Sequence, residues 1–460
     1  MDSAALLKVP APAGRECVGG YCCRAYGQAD GRGRVIRHYR GARRRSVRLR
    51  LVQRLPAIRK DPMPLDIESL RSHFPSLMSG IAHFDGPGGT QTPRAVGQAI
   101  ADTLTSPLSI RGNSVASERN ADAAVLGFRS AMADFLNADP LGIVYGRSAT
   151  QLTYDFAKHL SAGWGPGDEV IVTRLDHDCN VRPWVQAAER RGAIIRWAGF
   201  DPETSELRLD ELREALTPRT RLVAVTAASN LLGTMPDIRA IAAMVHDAGA
   251  ILFVDGVHYA AHATVDVQEL GADFFVCSPY KFLGPHCGVL AAAPALLETL
   301  SPEKLLPSTN AVPERFELGT LPYEIMAGTT AAIDFTATLG DGASRRERLV
   351  AAHADIERHE ASLLAILEAA LAELPAVTVH SRAAVRTSTL LLTFESHDAV
   401  AVSRFLAERD ILVPASNFYA IEAVGVLGLG EAGGLRVGLA PYTNLDDVQR
   451  LIEGLKAFLD

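Results

Sequence analysis

Between about residues 140 and 293 the chain alternates short, almost wholly apolar runs with amphipathic stretches. This alternation narrows the fold more than any other feature. The runs are IVY (143–145), EVIVT (169–173), AIIRWAGF (193–200), RLVAVTAA (221–228), ILFVD (251–255), FFVCS (274–278) and CGVLAAA (287–293). Helix-like segments such as LDELREAL (209–216) and DIRAIAAMVHDAGA (237–250) separate several of them. Strands apolar on both sides must be covered on both faces, and parallel strands need crossover helices to link them. The expectation is an α/β fold with a mostly parallel, seven-stranded sheet in its large domain. In such sheets ligands sit beyond the carboxyl ends of the strands.

After about residue 335 the pattern changes. A long helical stretch (about 344–373) leads to AVTVH (376–380), TLLLTF (389–394), a helix at 399–410, ILVPA (411–415), LRVGLA (435–440) and a terminal helix at 445–459. This predicts a smaller α+β domain over 336–460. The large domain then covers 63–335, with 63–100 contributing to the small domain or to the active site. At 460 residues, 48% hydrophobic and 22% charged, the chain is long enough for both.

Charge is uneven along the chain. The net is −7, which argues against nucleic-acid binding by the whole. Yet residues 1–62 hold 15 of the 46 Lys+Arg and only 4 of the 53 Asp+Glu. Three readings compete for this leader: an organellar transit peptide, a disordered nucleic-acid arm, or a start codon placed too early. The last is favoured. MPLDIESLRSHFPSL, from Met63, reads like a natural start with a short capped helix, and 1–62 reads as disordered either way. Cys17, Cys22 and Cys23 lie in the leader, and Cys179, Cys277 and Cys287 in the body. The body spacing suits neither a disulfide framework nor a metal site, so a reducing, cytoplasmic compartment is expected. No run approaches the ~18 apolar residues of a membrane span.

The stretch ILFVDGVHYAAHATVDVQELGADFFVCSPYKFLGPHCGVL (251–290) carries the chemistry. One strand ends at Asp255. A second ends at Ser278 and is followed by Pro279, Tyr280 and Lys281. Alone, Asp255 is a strand-end turn residue and Lys281 a solvated lysine. Together they put an acid and an amine at the carboxyl ends of two strands. Pyridoxal phosphate catalysis needs that pair: the amine forms an imine with the cofactor aldehyde, and the acid pairs with the pyridinium nitrogen.

This layout resembles the class V aminotransferases, and within them the cysteine desulfurases that share D-G-x-[QH] … S-x-[HY]-K. The resemblance runs from about Phe84 to the C-terminus. It implies the pyridoxal phosphate-dependent transferase fold (fold type I), a soluble enzyme acting on a small amino acid, and a homodimer. GRSATQ (146–151) resembles the cofactor-phosphate loop, so Ser148, Ala149 and Thr150 are implied to bind phosphate with Ser278, and Tyr280 to lie beside the cofactor. LDHDCNVRPW (175–184) resembles E-H-x-A-N-x-x-P-W, which makes His177 the imidazole stacked on the cofactor ring. SNLLGTMPDI (229–238) nominates Asn230 to touch the phenolic oxygen and the substrate carboxylate, with His258 as second donor near that oxygen. FELGT (316–320) resembles F-E-x-G-T, whose threonine crosses to the neighbouring subunit's phosphate, here Thr320. LRVGLAPYTN (435–444) resembles R-x-S-x-x-x-Y-N-T and implies Arg436 as clamp on the α-carboxylate.

The chain departs from the desulfurases at their sulfur-carrying cysteine. The matching stretch is VPASNFYA (413–420). No cysteine follows Cys287, and Tyr419 takes that place, with Pro414 in place of an arginine. A persulfide relay needs an accessible, low-pKa thiol. Cys179, two residues past His177, reads as a small buried filler. The desulfurase-like assignment ranks first by resemblance. A C–S lyase, epimerase or aminotransferase without a relay follows from the chemistry. A non-catalytic, pyridoxal phosphate-binding regulator stands as the non-enzyme alternative, disfavoured by the full set Lys281, Asp255, Asn230 and Arg436. HFDGPGGTQTP (83–93) is flexible enough to bring backbone near the substrate. It is not a nucleotide loop, because no strand–GxGxxG–helix arrangement or Walker lysine accompanies it.

Overall fold

The computed structural model describes residues 65–460, so the expectations for residues 1–62 fall outside the described residues. The short helix expected near Met63 is Ile67–Ser72. The Asp66 side chain caps it, accepting from the Ser69 N–H at 3.0 Å. Next comes β1 (Ala82–His83). Seven strands then build the large sheet: β2 (Ile143–Gly146), β3 (Glu169–Thr173), β4 (Ile194–Ala198), β5 (Thr220–Thr226), β6 (Ile251–Asp255), β7 (Phe274–Cys277) and β8 (Gly288–Ala292). Their order is β2-β8-β7-β6-β5-β3-β4. Only β8 runs against the rest, pairing antiparallel with both β2 and β7.

The continuous apolar runs are explained by the two cores they feed. Along β5, Val223 and Val225 face one core and Leu222 and Ala224 the other. Helices Ala116–Leu136, Ile238–Asp247 and Tyr323–Ala337 cover the first face, and Ala149–Leu160 and Arg182–Arg191 the second. Burial of each such side chain contributes about 1.5–3 kcal/mol. β4 is shorter than the run 193–200 that predicted it. It lies at the sheet edge, where Ile194 is exposed and pairing reaches β3 alone.

The small domain holds a four-stranded antiparallel sheet, β12-β13-β10-β9, with β9 (Val377–Val379), β10 (Thr389–Phe394), β12 (Ala415–Ser416) and β13 (Gly434–Gly438). The single strand expected over 411–415 is in fact two. β11 (Ile411–Leu412) pairs parallel with β1, and the chain turns at Pro414 before β12 joins the other sheet. Proline lacks the N–H that would continue a ladder. The strand expected over 435–440 ends at Gly438. A helix of 28 residues, Arg345–Ala372, spans both cores: Leu349 packs in the large domain, and Leu363, Leu367 and Leu371 pack in the small one. Ser344 and Glu347 form a capping box at its start. Among the described residues, no helix is long and apolar enough to cross a membrane.

The segment after β1 carries the chain from the small domain into the large sheet's rim. The Phe84 carbonyl accepts from the Gly438 N–H at 2.9 Å, and any Cβ at Gly438 would run into the Pro87 ring. At the opposite side of that rim, Gly288 opens β8 directly against the loop of Ser148. A Cβ there would lie 2.6 Å from the Ala149 nitrogen and closer still to the Ser148 carbonyl, both backbone. Gly288→Ala is expected to cost about 1–3 kcal/mol by forcing strand and loop apart. Urea denaturation of the two proteins measures it, and an unchanged midpoint would contradict the close approach.

Candidate active site

Five parallel strands end at one rim, and each delivers polar groups there. β2 leads into Ser148, β3 into His177, β5 into Asn230, β6 ends at Asp255, and β7 leads through Ser278 to Lys281. A cavity of about 80 Å³ lies among them. Ten of the twelve nominated residues line it: Ser148, Ala149, Thr150, His177, Asn230, Asp255, His258, Ser278, Tyr280 and Lys281.

Lys281 sits on a single 3-10 turn, Pro279–Lys281, and is 8% exposed. Its amine donates to the Pro87 carbonyl, so the Gly-Pro-Gly segment reaches the site as backbone. Burial, reinforced by the Arg436 charge, pulls its pKa down to about 7, against the pull of Asp255, Cys179 and Asp85. Asp255 is 3% exposed. Oδ1 accepts from the Val257 N–H at 2.8 Å and Oδ2 from the Cys179 thiol at 3.4 Å. Burial pushes its carboxyl up, while those two donors and Lys281 oppose the shift.

His177 accepts the Cys179 N–H on Nδ1 at 3.0 Å, which leaves the ring proton on Nε2. Burial, then the Lys281 charge, pushes its pKa down to about 4, so the ring is neutral at pH 7. Its face stacks on Tyr419, with centroids 5.5 Å apart and planes 22° apart. Behind it, Asp176 takes bonds from Thr173 and from Asn180 (2.7 Å), and burial raises it to about 8.

Ser148 caps the helix Ala149–Leu160, accepting from the Gln151 N–H at 3.0 Å. The first amides of that helix meet Ser278 across the cavity. His258 is buried. Its Nε2 lies 3.0 Å from both the Thr387 and Thr389 hydroxyls, and its Nδ1 has no partner. Tyr280 stacks on His286 at 4.8 Å.

Arg436 comes from β13 of the small domain and is 3% exposed. Nη1 donates to the Asn230 carbonyl at 3.0 Å, the Phe418 ring covers the guanidinium at 3.8 Å, and Nε is buried without a partner. Burial pulls its pKa down to about 9, so it remains a cation at pH 7. One Asn230 amide N–H is spent on the Phe418 carbonyl at 3.0 Å, and Oδ1 is buried without a partner. The donor role nominated for Asn230 therefore falls to its other N–H. Thr320 stands apart. It is exposed and lines a separate cleft with Gly146, Arg147 and Gln151, on the outer side of the Ser148 loop. Glu317 of the same motif pins that segment to β2, accepting from the Tyr145 N–H at 2.9 Å and from Arg129 at 2.7 Å.

Sequence reasoning missed Phe418, Thr387, Thr389 and Asp176. Only the paired aromatics of NFYA offered a signal. Among the described residues, no group of three or more His, Cys, Asp or Glu is arranged to hold a metal.

These donors and acceptors suit pyridoxal phosphate. A buried carboxylate faces the position of a ring N–H, free helix amides and hydroxyls face a phosphate, and the orphaned Arg436 Nε, Asn230 Oδ1 and His258 Nδ1 await polar partners.

The comparisons agree with this geometry. The family model described as aminotransferase class V matches residues 82–451. An aminotransferase-like protein of Gibberella zeae is 34% identical over 408 residues, covering 85% of this chain and 98% of that protein. A cysteine desulfurase of Pectobacterium atrosepticum is 31% identical over 416 residues, covering 86% of this chain and 98% of its own. The crystal structure of a cysteine desulfurase from Escherichia coli superposes with a TM-score of 0.75 at 28% identity, covering 85% of this chain and 98% of that one. The chain thus belongs to the class V aminotransferase family, as a cysteine desulfurase-like, pyridoxal phosphate-dependent enzyme.

Proposed function

We propose that the chain holds pyridoxal phosphate as a Schiff base on Lys281 and breaks a bond at the α-carbon of a small amino acid without passing sulfur to a protein thiol. The observation that carries this reading is the juxtaposition of Lys281 and Asp255 in one buried cavity, with the lysine amine drawn down to about 7. When bound, the cofactor supplies an electron sink for negative charge developing at the α-carbon.

The chain's own residues do the rest. The Lys281 amine, about half neutral at pH 7, is a competent nucleophile, and once freed it takes and returns a proton at the α-carbon. Asp255 presents a carboxylate held by two donors to a ring nitrogen. Neutral His177 offers a flat face over the cavity and an Nε2 proton. Ser148, Ala149, Thr150 and Ser278 hold phosphate. Arg436 turns its unpartnered Nε edge to the substrate carboxylate, while Nη1 stays tied to Asn230.

No thiol among the described residues suits a relay. In the stretch matching the sulfur-carrying loop stands Tyr419. Among the described residues the cysteines are Cys179, Cys277 and Cys287. Burial pushes the first two thiols well above their ordinary value and the third up to about 12. A thiol held protonated is a poor sulfur nucleophile. C–S lyase, epimerase and aminotransferase outcomes all follow from the same site. We further read the enzyme as a cytoplasmic homodimer in which Thr320 reaches the partner's phosphate, since Thr320 is exposed beside the Ser148 loop rather than inside its own cavity.

Three experiments test this. Protein loaded with pyridoxal phosphate is expected to show the visible absorbance of a covalently held cofactor, and Lys281→Ala to lose it together with at least about 10³-fold in turnover. With cysteine as substrate, turnover without protein-bound persulfide is expected, with sulfide, pyruvate and ammonia together marking the lyase outcome; a stoichiometric persulfide would refute the relay-free reading. The third experiment uses pH. Lowering the lysine pKa enlarges the neutral fraction, so the rate of cofactor attachment to apoprotein is expected to rise through about pH 7 and level off by about pH 8–9. A rate still climbing at about pH 10 would mean that the amine keeps its ordinary pKa.

A further inference from the structure

Phe418 and Tyr419 are consecutive, bulky residues with φ of +52° and +58°, in the left-handed region that disfavours both. Several bonds over-determine the turn. Asn417 Oδ1 accepts from the Tyr419 N–H at 3.0 Å and Ser416 Oγ from the Phe418 N–H at 3.3 Å. The Phe418 carbonyl accepts from Asn230 at 3.0 Å, and the Tyr419 carbonyl from the Asp178 N–H at 2.7 Å. Strain maintained in this way points to a use. The consequence of the two left-handed residues is that adjacent rings part: Phe418 lies over the Arg436 guanidinium at 3.8 Å, and Tyr419 stacks on His177 at 5.5 Å. Tyr419 is 71% exposed, so burial of its own surface does not account for its placement.

We propose that Phe418 and Tyr419 form one two-headed positioning device, in which Tyr419 fixes the plane of the His177 ring that covers the cofactor and Phe418 fixes the guanidinium that receives the substrate carboxylate. This rests on the reading of the site given under Proposed function. His177 has a single side-chain hydrogen bond, from the Cys179 N–H, which fixes the tautomer but leaves the ring free to rock about that bond. A nearly parallel ring on one of its faces removes that freedom. Arg436 is anchored by Nη1 alone, and a ring on its face fixes the plane of the guanidinium, whose Nε has no partner. The device sits where the resembling desulfurases carry their reactive cysteine, so a relay loop is replaced by a rigid clasp.

Two dissociation constants separate the heads. Pyridoxal phosphate titrated into apoprotein reports the His177 head by absorbance, and propionate titrated calorimetrically into loaded protein reports the Arg436 head. Tyr419→Ala is expected to weaken the cofactor about fivefold and shift its absorbance, leaving propionate within about twofold, and Tyr419→Phe to restore both. Phe418→Ala is expected to weaken propionate about fivefold, leaving the cofactor within about twofold, and Phe418→Tyr to restore it. Variants that move neither constant, or move both together, overturn the proposal, the latter because the loop then only supports the fold. A wild-type chain that takes up no cofactor overturns this proposal and the proposed function alike; a wild type that does, with unmoved variants, overturns this one alone.

Discussion

The burial of the Lys281 amine is the constraint that organises the rest of the molecule. An ammonium removed from water is costly unless paired, and here the Pro87 carbonyl and nearby Asp255 compensate only in part. The outcome is an amine drawn toward neutrality. Each feature that maintains it comes from a different part of the chain. β7 and its 3-10 turn fix the backbone, β6 supplies Asp255, and the segment after β1 supplies the carbonyl. The small domain adds the Arg436 charge, the second cause of the shift after burial itself. The site therefore exists only when both domains are docked.

Docking combines apolar packing, in which Leu391, Ala420, Ala423 and Val424 join the large domain's core, with a set of buried polar contacts. Thr387, just before β10, and Thr389, its first residue, hold the His258 ring. His262, one turn further along, meets Glu360 of the long helix at 2.8 Å, and Ser388 donates to the same carboxylate at 2.6 Å. Arg436 reaches the Asn230 carbonyl, and Asp178 reaches that of Tyr419. Buried polar networks of this kind specify one arrangement of two bodies, since any slip leaves groups unpaired. The price is the set of orphaned atoms at Arg436, Asn230 and His258, which are the atoms a bound ligand would satisfy.

Much of this was legible in the chain alone, and the reason is geometric. Strands covered on both faces must be apolar throughout, so their carboxyl ends stand out where Asp255 and Ser278 break the runs, and ligands gather at those ends. The reversal of β8 was not legible, because a strand buried on both faces reads the same in either direction. Nor was the division of 411–415, which depends on β1 arriving to pair with β11. The hidden part of the site is long-range. Pro87 meets Lys281 across 194 residues, and Asn230 meets Phe418 across 188. Local pattern holds no record of such contacts. Thr320 was legible as a motif and yet lies outside the cavity, since its segment is tied down by Glu317 on β2.

The charges left at neutral pH follow from the same burial. Asp176, raised to about 8, holds its proton behind His177, and His177, lowered to about 4, carries no charge. Lys281 is near its midpoint. Arg436 is the durable cation, on the small-domain side, and Asp255 is the carboxyl group that lines the cavity, on the floor of the sheet, while Asp85 acts on both Lys281 and Arg436 from the segment after β1. A substrate carboxylate and a protonated ring nitrogen each have a single electrostatic destination, and the two lie on opposite domains. With His177 and Asp176 neutral between them, these two poles would set a substrate's orientation before any bond at the α-carbon is touched.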